Sequence, residues 1–465
     1  VSAPVRPLPG ESETVEGAIG VGLDPTPPQQ GVWELAWPSI SLYALHALVG
    51  IVDFAFVSSL GTEAVAAVGV AMQIHFFVFA LMAAVTTGTV AVVAREMGAG
   101  RPLEAARATR ASLALTAGIG ALLMGLVPWT RQIVGLMGVE GAVSELGGDC
   151  LAILLAFNVP FALEIALSMA LRGAGDVRTP LWVGILGNLA NVVLCYALVF
   201  GRFGAPELGA RGSVLAAGIS FTLGAAALVA LWWRGNLRVP RLVPGASVTW
   251  ATSWRLLRIG LPTALEQAAF QGGLLVFLSI IALYGTPPVS AYLIGVRILS
   301  LCFVPGLGFS TAAATLVGQH LGAQRADLAA RVGWRAAGLA VVVMGAVGLA
   351  IGIAAPRLAE LFGAAGSDTV RLSVIFIYVL GAAQPLMAIE FALGGALRGA
   401  GDTRFPLFAI LTGLFVFRLG AAVLIARPFF DTVTAVWLCL LADYAVKATL
   451  LSWRFASGRW RSLHV

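Results

Sequence analysis

The chain has 465 residues, of which 59% are hydrophobic and only 11% charged, with a mean hydropathy of +0.92. Soluble domains run at about half apolar and about a quarter charged, so the composition argues against a water-soluble fold. The formal net charge of +6 would suit a polyanion, but no nucleic-acid partner is expected where no soluble domain carries a surface for one. The charge reads through membrane topology instead.

Residues 1–30 are rich in Pro and Gly, carry Glu11, Glu13, Glu16 and Asp24, and lack the basic start and apolar core of a secretory signal. They read as a disordered cytoplasmic tail. From Trp33 to Phe455 the chain divides into about twelve apolar stretches, each near the twenty residues that cross a bilayer. The spans fall at 33–58, 64–94, 108–128, 143–170, 178–201, 212–233, 254–284, 289–317, 333–355, 370–396, 404–426 and 432–455. With both termini cytoplasmic, twenty Arg fall in inside segments and six in outside loops, while Arg297, Arg418 and Lys447 lie within spans. The positive-inside rule then gives a multi-pass membrane protein with both ends inside. Cys150, Cys195, Cys302 and Cys439 are scattered without a CxxC spacing, so they read as small apolar fillers rather than metal or disulfide residues.

The sequence repeats itself. REMGAGRPLEAAR at 95–107 matches QHLGAQRADLAAR at 319–331 with a shift of 224, shared by Pro38 with Pro262 and Gly61 with Gly285. The shift becomes 226 where LRGAGDVRTP at 171–180 meets LRGAGDTRFP at 397–406. Six spans per copy is an even number, so both copies enter the membrane in the same sense, related by a pseudo-two-fold axis along the membrane normal. The expected fold is an all-α polytopic membrane protein of two six-helix lobes, 31–238 and 239–465. A site between two such lobes favours a transporter over a channel.

These residues resemble the multidrug and toxin extrusion (MATE) family of a larger flippase-like superfamily. The resemblance covers residues 31–455 and rests on VDFAFVSSLGTEAVAAVG at 52–69, the two LRGAGD loops, and GLGFSTAAATLVGQHLGAQ at 306–324. It implies a secondary antiporter that exports organic cations in exchange for protons or sodium, working as a monomer in the lipid bilayer without a cofactor and not as an enzyme. Within the LRGAGD loops the glycines suit a sharp turn, and Asp176 is placed to cap the next helix.

Carboxylates at membrane depth need a partner, a wet cavity or a proton. Asp53 in span 1 has Phe277 at the matching place of the second half, so the fold's symmetry does not require it; a cap near the outer mouth is the alternative. The resemblance makes Asp53 part of an ion or proton site with residues of span 5, where Asn188 and Asn191 are present. The two asparagines share a helix face and either bond Asp53 or act as interhelical glue. The family's second acid, four residues after Asn191, is Cys195 here, which leaves sodium short of a hard ligand and favours protons. Glu266, one turn after Pro262, is a further coupling candidate, with a merely structural role equally open.

Glu164 and Glu390 are repeat equivalents, each seven residues before its LRGAGD. With Gln271, Phe270, Met72 and Phe309 they are expected to line a substrate cavity, acidic and adaptable enough for amphipathic cations. Arg418 is expected to neutralise Glu390, and Asp443 with Lys447 to form a self-contained structural pair at i, i+4. Two rivals remain. A lipid-linked oligosaccharide flippase should need a basic cavity, and an intramembrane enzyme handling diphosphates should need clustered Asp; the spans carry neither.

Overall fold

The computed structural model describes residues 30–240, 248–361 and 367–463. The tail expected over 1–30 therefore lies, but for Gln30, outside the described residues. Among those described, eleven helices are long and apolar enough to cross a membrane, and a bent pair makes a twelfth. In chain order the spans are Val32–Ser58, Thr62–Gly98, Pro102–Met124, Gly141–Ala156 with Asn158–Gly173, Arg178–Phe200, Ala210–Trp233, Trp250–Ala282, Thr286–Gly322, Ala326–Leu361, Ser367–Gly399, Arg404–Phe430 and Val433–Ala456. Helix is the only way an unpaired segment can satisfy its own backbone in hydrocarbon. The apolar stretches read from the sequence are these helices, several of them running longer into the interfaces.

Two spans depart from a plain rod. Span 4 bends by 50° between Ala156 and Asn158. Pro160, two residues on, has no N–H to return to the Ala156 carbonyl, and rings of this kind open the preceding turn. At the break Phe157 seats its ring on Gly218 of span 6. In the second half Pro385 stands inside an unbroken helix, Ser367–Gly399, so the proline permits the bend and packing decides it. Span 11 begins as an α-helix over Arg404–Leu411 and continues as π-helix through Thr412–Gly420 and Ala422–Phe430. A wide i→i+5 turn of this length is unusual and tends to mark functional positions.

The lobes meet in a reciprocal way. Span 1 packs on span 8, span 2 packs on span 7, and spans 2 and 8 cross each other near the axis. The crossing lies at the LRGAGD end, where the backbones of the two lobes touch. Both LRGAGD loops turn through a glycine in the left-handed region, Gly175 at φ +81° and Gly401 at φ +88°, a conformation that costs a residue with a Cβ. After the first turn Asp176 accepts from the Thr179 N–H at 3.0 Å and from its hydroxyl at 2.7 Å, the cap expected for span 5.

Candidate functional site

In the first lobe the site is built from spans 1, 5 and 6. Asp53 lies near the Ser58 end of span 1 and is half-buried. Asn191 on span 5 faces it: with the amide nitrogen turned toward the acid, it donates to Oδ2 at 3.1 Å and to Oδ1 at 3.2 Å. The amide oxygen then accepts from the Ala217 N–H of span 6 at 3.2 Å, which fixes this orientation. One turn along span 5, the fully buried Cys195 directs its thiol at the same carboxylate. Asn188 does not join them, because its amide donates to the Gly184 carbonyl at 2.7 Å on its own helix. Asp53 has only neutral partners, and no ion pair reaches it among the described residues. Its neighbour Phe54 lies under the exposed guanidinium of Arg297 from span 8, 5.9 Å from the ring centre.

The second lobe is charged and self-neutralising at the corresponding depth. Arg418, in the π-helical part of span 11, contacts Asp443 of span 12 at 2.5 Å; Lys447 contacts Asp443 at 3.0 Å and Glu390 of span 10 at 3.7 Å. Arg418, Asp443 and Lys447 are almost completely buried. The atoms of the Arg418–Asp443–Lys447 core meet as charges without the alignment of hydrogen bonds. The guanidinium of Arg418 also lies over the rings of Tyr444 at 5.1 Å and Phe277 at 5.8 Å. This corrects the expectation that Arg418 neutralises Glu390: Arg418 belongs to Asp443, and Lys447 bridges on to Glu390. The self-contained Asp443–Lys447 pair is the middle of a four-charge chain.

Arg398 is a further half-buried cation of this lobe. It is one of the twenty arginines counted to the inside segments, yet it turns inward and pairs with Glu266 at 2.5 Å. Its repeat equivalent Arg172 does the same, donating to the Tyr43 hydroxyl at 2.6 Å and covering that ring at 5.0 Å. Both arginines thus anchor the first helix of their own lobe. The signal available in the sequence was their shared place in the repeat, together with a polar residue one position apart in spans 1 and 7.

Of the residues expected along a cavity, Glu164 is half-buried against Gly224 of span 6 and has no ion pair among those described. Phe270 packs on Phe303 at 6.3 Å with Lys447 Nζ 6.0 Å from its ring centre, and Gln271 is half-buried beside it. Met72 is exposed. Phe309 is a correction: it is wholly buried, 6.2 Å from Trp33, and belongs to the packed seam of spans 8 and 1 rather than to a cavity wall. The acidity expected of the cavity also changes, since Glu266 and Glu390 are matched by cations while Asp53 and Glu164 are not. No group of residues suited to a metal ion occurs among the described residues.

One inter-lobe element went unread in the sequence. At the LRGAGD end, Glu96 of span 2 is buried and pairs with Arg255 of span 7 at 2.8 Å and with Arg101 at 2.8 Å. Nearby, Thr315 donates to the Arg172 carbonyl at 3.0 Å and Gln319 to the Gly173 carbonyl at 2.9 Å. These bonds latch one lobe to the other. Glu96 has His320 at the matching repeat position, an asymmetry of the same kind that singled out Asp53.

Comparison with known proteins places this geometry. The MatE family model matches residues 38–197 and 262–424, one segment in each lobe. A probable multidrug resistance protein NorM of Thermotoga maritima is 30% identical over 433 residues, covering 92% of each chain. A probable NorM of Rhodopseudomonas palustris is 28% identical, covering 90% of each. Among solved structures, one described as the outward-facing conformation of a multidrug resistance MATE family transporter superposes with a TM-score of 0.87 at 22% identity, covering 93% of this chain and 97% of that one. A transporter of the same superfamily from Pyrococcus furiosus, described as having a binding pocket of reverse polarity, gives 0.85 at 23% identity, covering 92% and 96%. With both of its lobes matched, this chain belongs to the multidrug and toxin extrusion (MATE) family of efflux transporters.

Proposed function

We propose that the protein is a proton-coupled antiporter that exports small organic cations across the bacterial inner membrane, with both termini cytoplasmic. The observation that carries the coupling is the contrast between lobes. Asp53 is held by an amide and a thiol, whereas every carboxylate of the second-lobe cluster already has a cation. A carboxylate without a fixed counter-charge is free to exchange a mobile one, and an antiporter needs that exchange to alternate with substrate binding. Sodium asks for several oxygen ligands, and beside Asp53 one of the available positions is the sulfur of Cys195. Protons make no such demand. The unpaired Asp53 and Glu164 also give the first lobe the acidic surplus that suits cationic substrates.

With the arginine-rich end cytoplasmic, the seam at the LRGAGD end is the inner gate, and the conformation described is closed to the inside. Opening would break the Glu96–Arg255 pair and the Thr315 and Gln319 hydrogen bonds. Catalysis is not part of this reading, and a single chain supplies both lobes.

The test is substrate counterflow in sodium-free proteoliposomes under an imposed pH gradient, with Asp53→Asn as the uncoupled control. Transport in the wild type and its loss in a folded Asp53→Asn supports the proposal. No transport there, with activity restored by a sodium gradient at constant pH, rules it out. Orientation is read separately by labelling single cysteines at Ser59 and Arg325, both exposed, at opposite ends. The four native cysteines are buried. Reaction of the Arg325→Cys protein, but not of Ser59→Cys, with an impermeant thiol reagent applied outside would invert the topology.

A further inference from the structure

Beside the lobe interface, at the LRGAGD end of the second lobe, the ends of spans 7, 11 and 12 line a cavity of about 690 Å³. Its wall holds four arginines, Arg255, Arg258, Arg404 and Arg454, and one acid, Asp402. Two of these cations are committed: Arg454 Nε donates to Asp402 at 2.7 Å, and Arg255 bonds Glu96. Arg258 and Arg404 are exposed and make no ion pair among the described residues. The cavity therefore carries a surplus of positive charge that nothing described neutralises.

Its rim is aromatic. Trp254 and Phe408 line the opening and are each about half exposed, Trp250 stacks on Trp254 at 6.3 Å, and Trp453 faces Phe405, whose ring carries the Arg454 guanidinium at 5.3 Å. Exposed tryptophans at the ends of spanning helices mark the headgroup level of a bilayer. A cationic pocket between spans at that level matches a phosphate ester carried by an acyl chain: the guanidinium forks take the phosphate oxygens and the aromatic rim takes the glycerol and upper chain. Volumes of this size hold small-molecule ligands.

We propose that this cavity is a binding site for the headgroup of an anionic phospholipid, with Arg258 and Arg404 as its phosphate ligands and Trp254 and Phe408 as its apolar rim. The lipid is a bound component and not a transported one, because every residue of the cavity wall belongs to the second lobe, with Arg255 marking the edge where the wall meets the seam.

The experiment is native mass spectrometry of the purified full chain with phosphatidylglycerol, phosphatidylcholine and inorganic phosphate as probes. Phosphatidylglycerol should be retained at least tenfold better than phosphatidylcholine, and Arg258→Gln with Arg404→Gln should abolish that preference. Equal retention of both lipids, or equal retention by wild type and variant, overturns the proposal. Displacement of the lipid by millimolar inorganic phosphate overturns it too, because the site would then belong to a soluble anion. A second readout does not depend on folding of the double variant: brominated phosphatidylglycerol should quench wild-type tryptophan emission more than that of Trp254→Phe, and brominated phosphatidylcholine should not. Equal quenching of wild type and Trp254→Phe by the anionic probe refutes the site.

Discussion

Gly98 and Gly322 occupy equivalent positions in the two repeats, and each presses on the other's helix: a Cβ on Gly98 would fall on the Gln319 carbonyl, and one on Gly322 would fall on the Arg95 carbonyl. Arg95 and Gln319 are themselves repeat equivalents, so the contact maps onto itself across the pseudo-two-fold axis. It is a backbone-to-backbone crossing of spans 2 and 8, which only a residue without a side chain permits.

Enlarging either glycine should therefore prop this end open without disturbing either lobe, because the opposing atom is a carbonyl that cannot rotate away. In a protein lacking its native cysteines, Gly98→Leu should raise the labelling rate of Thr315→Cys, buried in the seam, by about tenfold, a shift of about 1.4 kcal/mol. An unchanged rate would mean the seam does not act as a gate.

The four-charge chain of the second lobe predicts a specific pattern of coupling. Breaking one buried partner leaves its mate uncompensated, at a cost of about 3–5 kcal/mol. Lys447→Met and Glu390→Gln remove the two members of one direct contact and should couple by about 1–3 kcal/mol in a double-mutant cycle of unfolding. Arg418→Met with Glu390→Gln should be more nearly additive, since Asp443 and Lys447 stand between them. The reverse ranking would restore the simpler pairing of Arg418 with Glu390.

The spans were legible because lipid imposes length and apolarity on any crossing helix, and the lobes because duplication left Pro38 with Pro262 and the two LRGAGD loops in register. Asp53 stood out through asymmetry, an acid where the repeat has Phe277, and Asn191 through the family resemblance of span 5. The partner of Arg418 was not legible. Which face of span 11 meets span 12 depends on the π-helical turn from Thr412, and that turn shifts the angular position of every later side chain in a way no α-helical spacing shows. The pairing of Arg398 was not legible for a related reason: hydropathy places a residue at a helix end but does not say whether its side chain turns back along the helix to reach Glu266.

The latch at the LRGAGD end should respond to charge. Glu96 is buried and holds Arg255 from the other lobe, so Glu96→Gln removes a charge-assisted bond that exists only while the lobes are together. Loss of a charge-assisted bond of this kind is worth roughly 1.5–3 kcal/mol, enough to move the open fraction by about tenfold or more. Spin labels at Leu103 and Arg325, one on each lobe at this end, should show a longer inter-label distance gaining population in Glu96→Gln. A distribution identical to wild type would reduce Glu96 to a partner of Arg101.

The proton reading turns on Cys195, and that residue can be exchanged for the acid the family pattern places there. Sodium binds when hard oxygens outnumber softer groups around it. In the wild type the ring around Asp53 offers one carboxylate, the Asn191 amide and a thiol. Cys195→Asp replaces the thiol with a second carboxylate on the same helix turn, facing Asp53 across the same gap. Two carboxylates at that distance repel unless a cation sits between them, so the variant should acquire a sodium requirement that the wild type lacks. The measurement is substrate export from proteoliposomes driven by a sodium gradient at constant pH, with sodium binding followed in parallel by isotope. Export in Cys195→Asp should rise at least tenfold over wild type and disappear on adding Asp53→Asn. If the variant folds and binds no sodium, the identity of residue 195 does not select the coupling ion. If the wild type already exports on a sodium gradient alone, the thiol is no obstacle to sodium, and the assignment of protons to Asp53 fails with it.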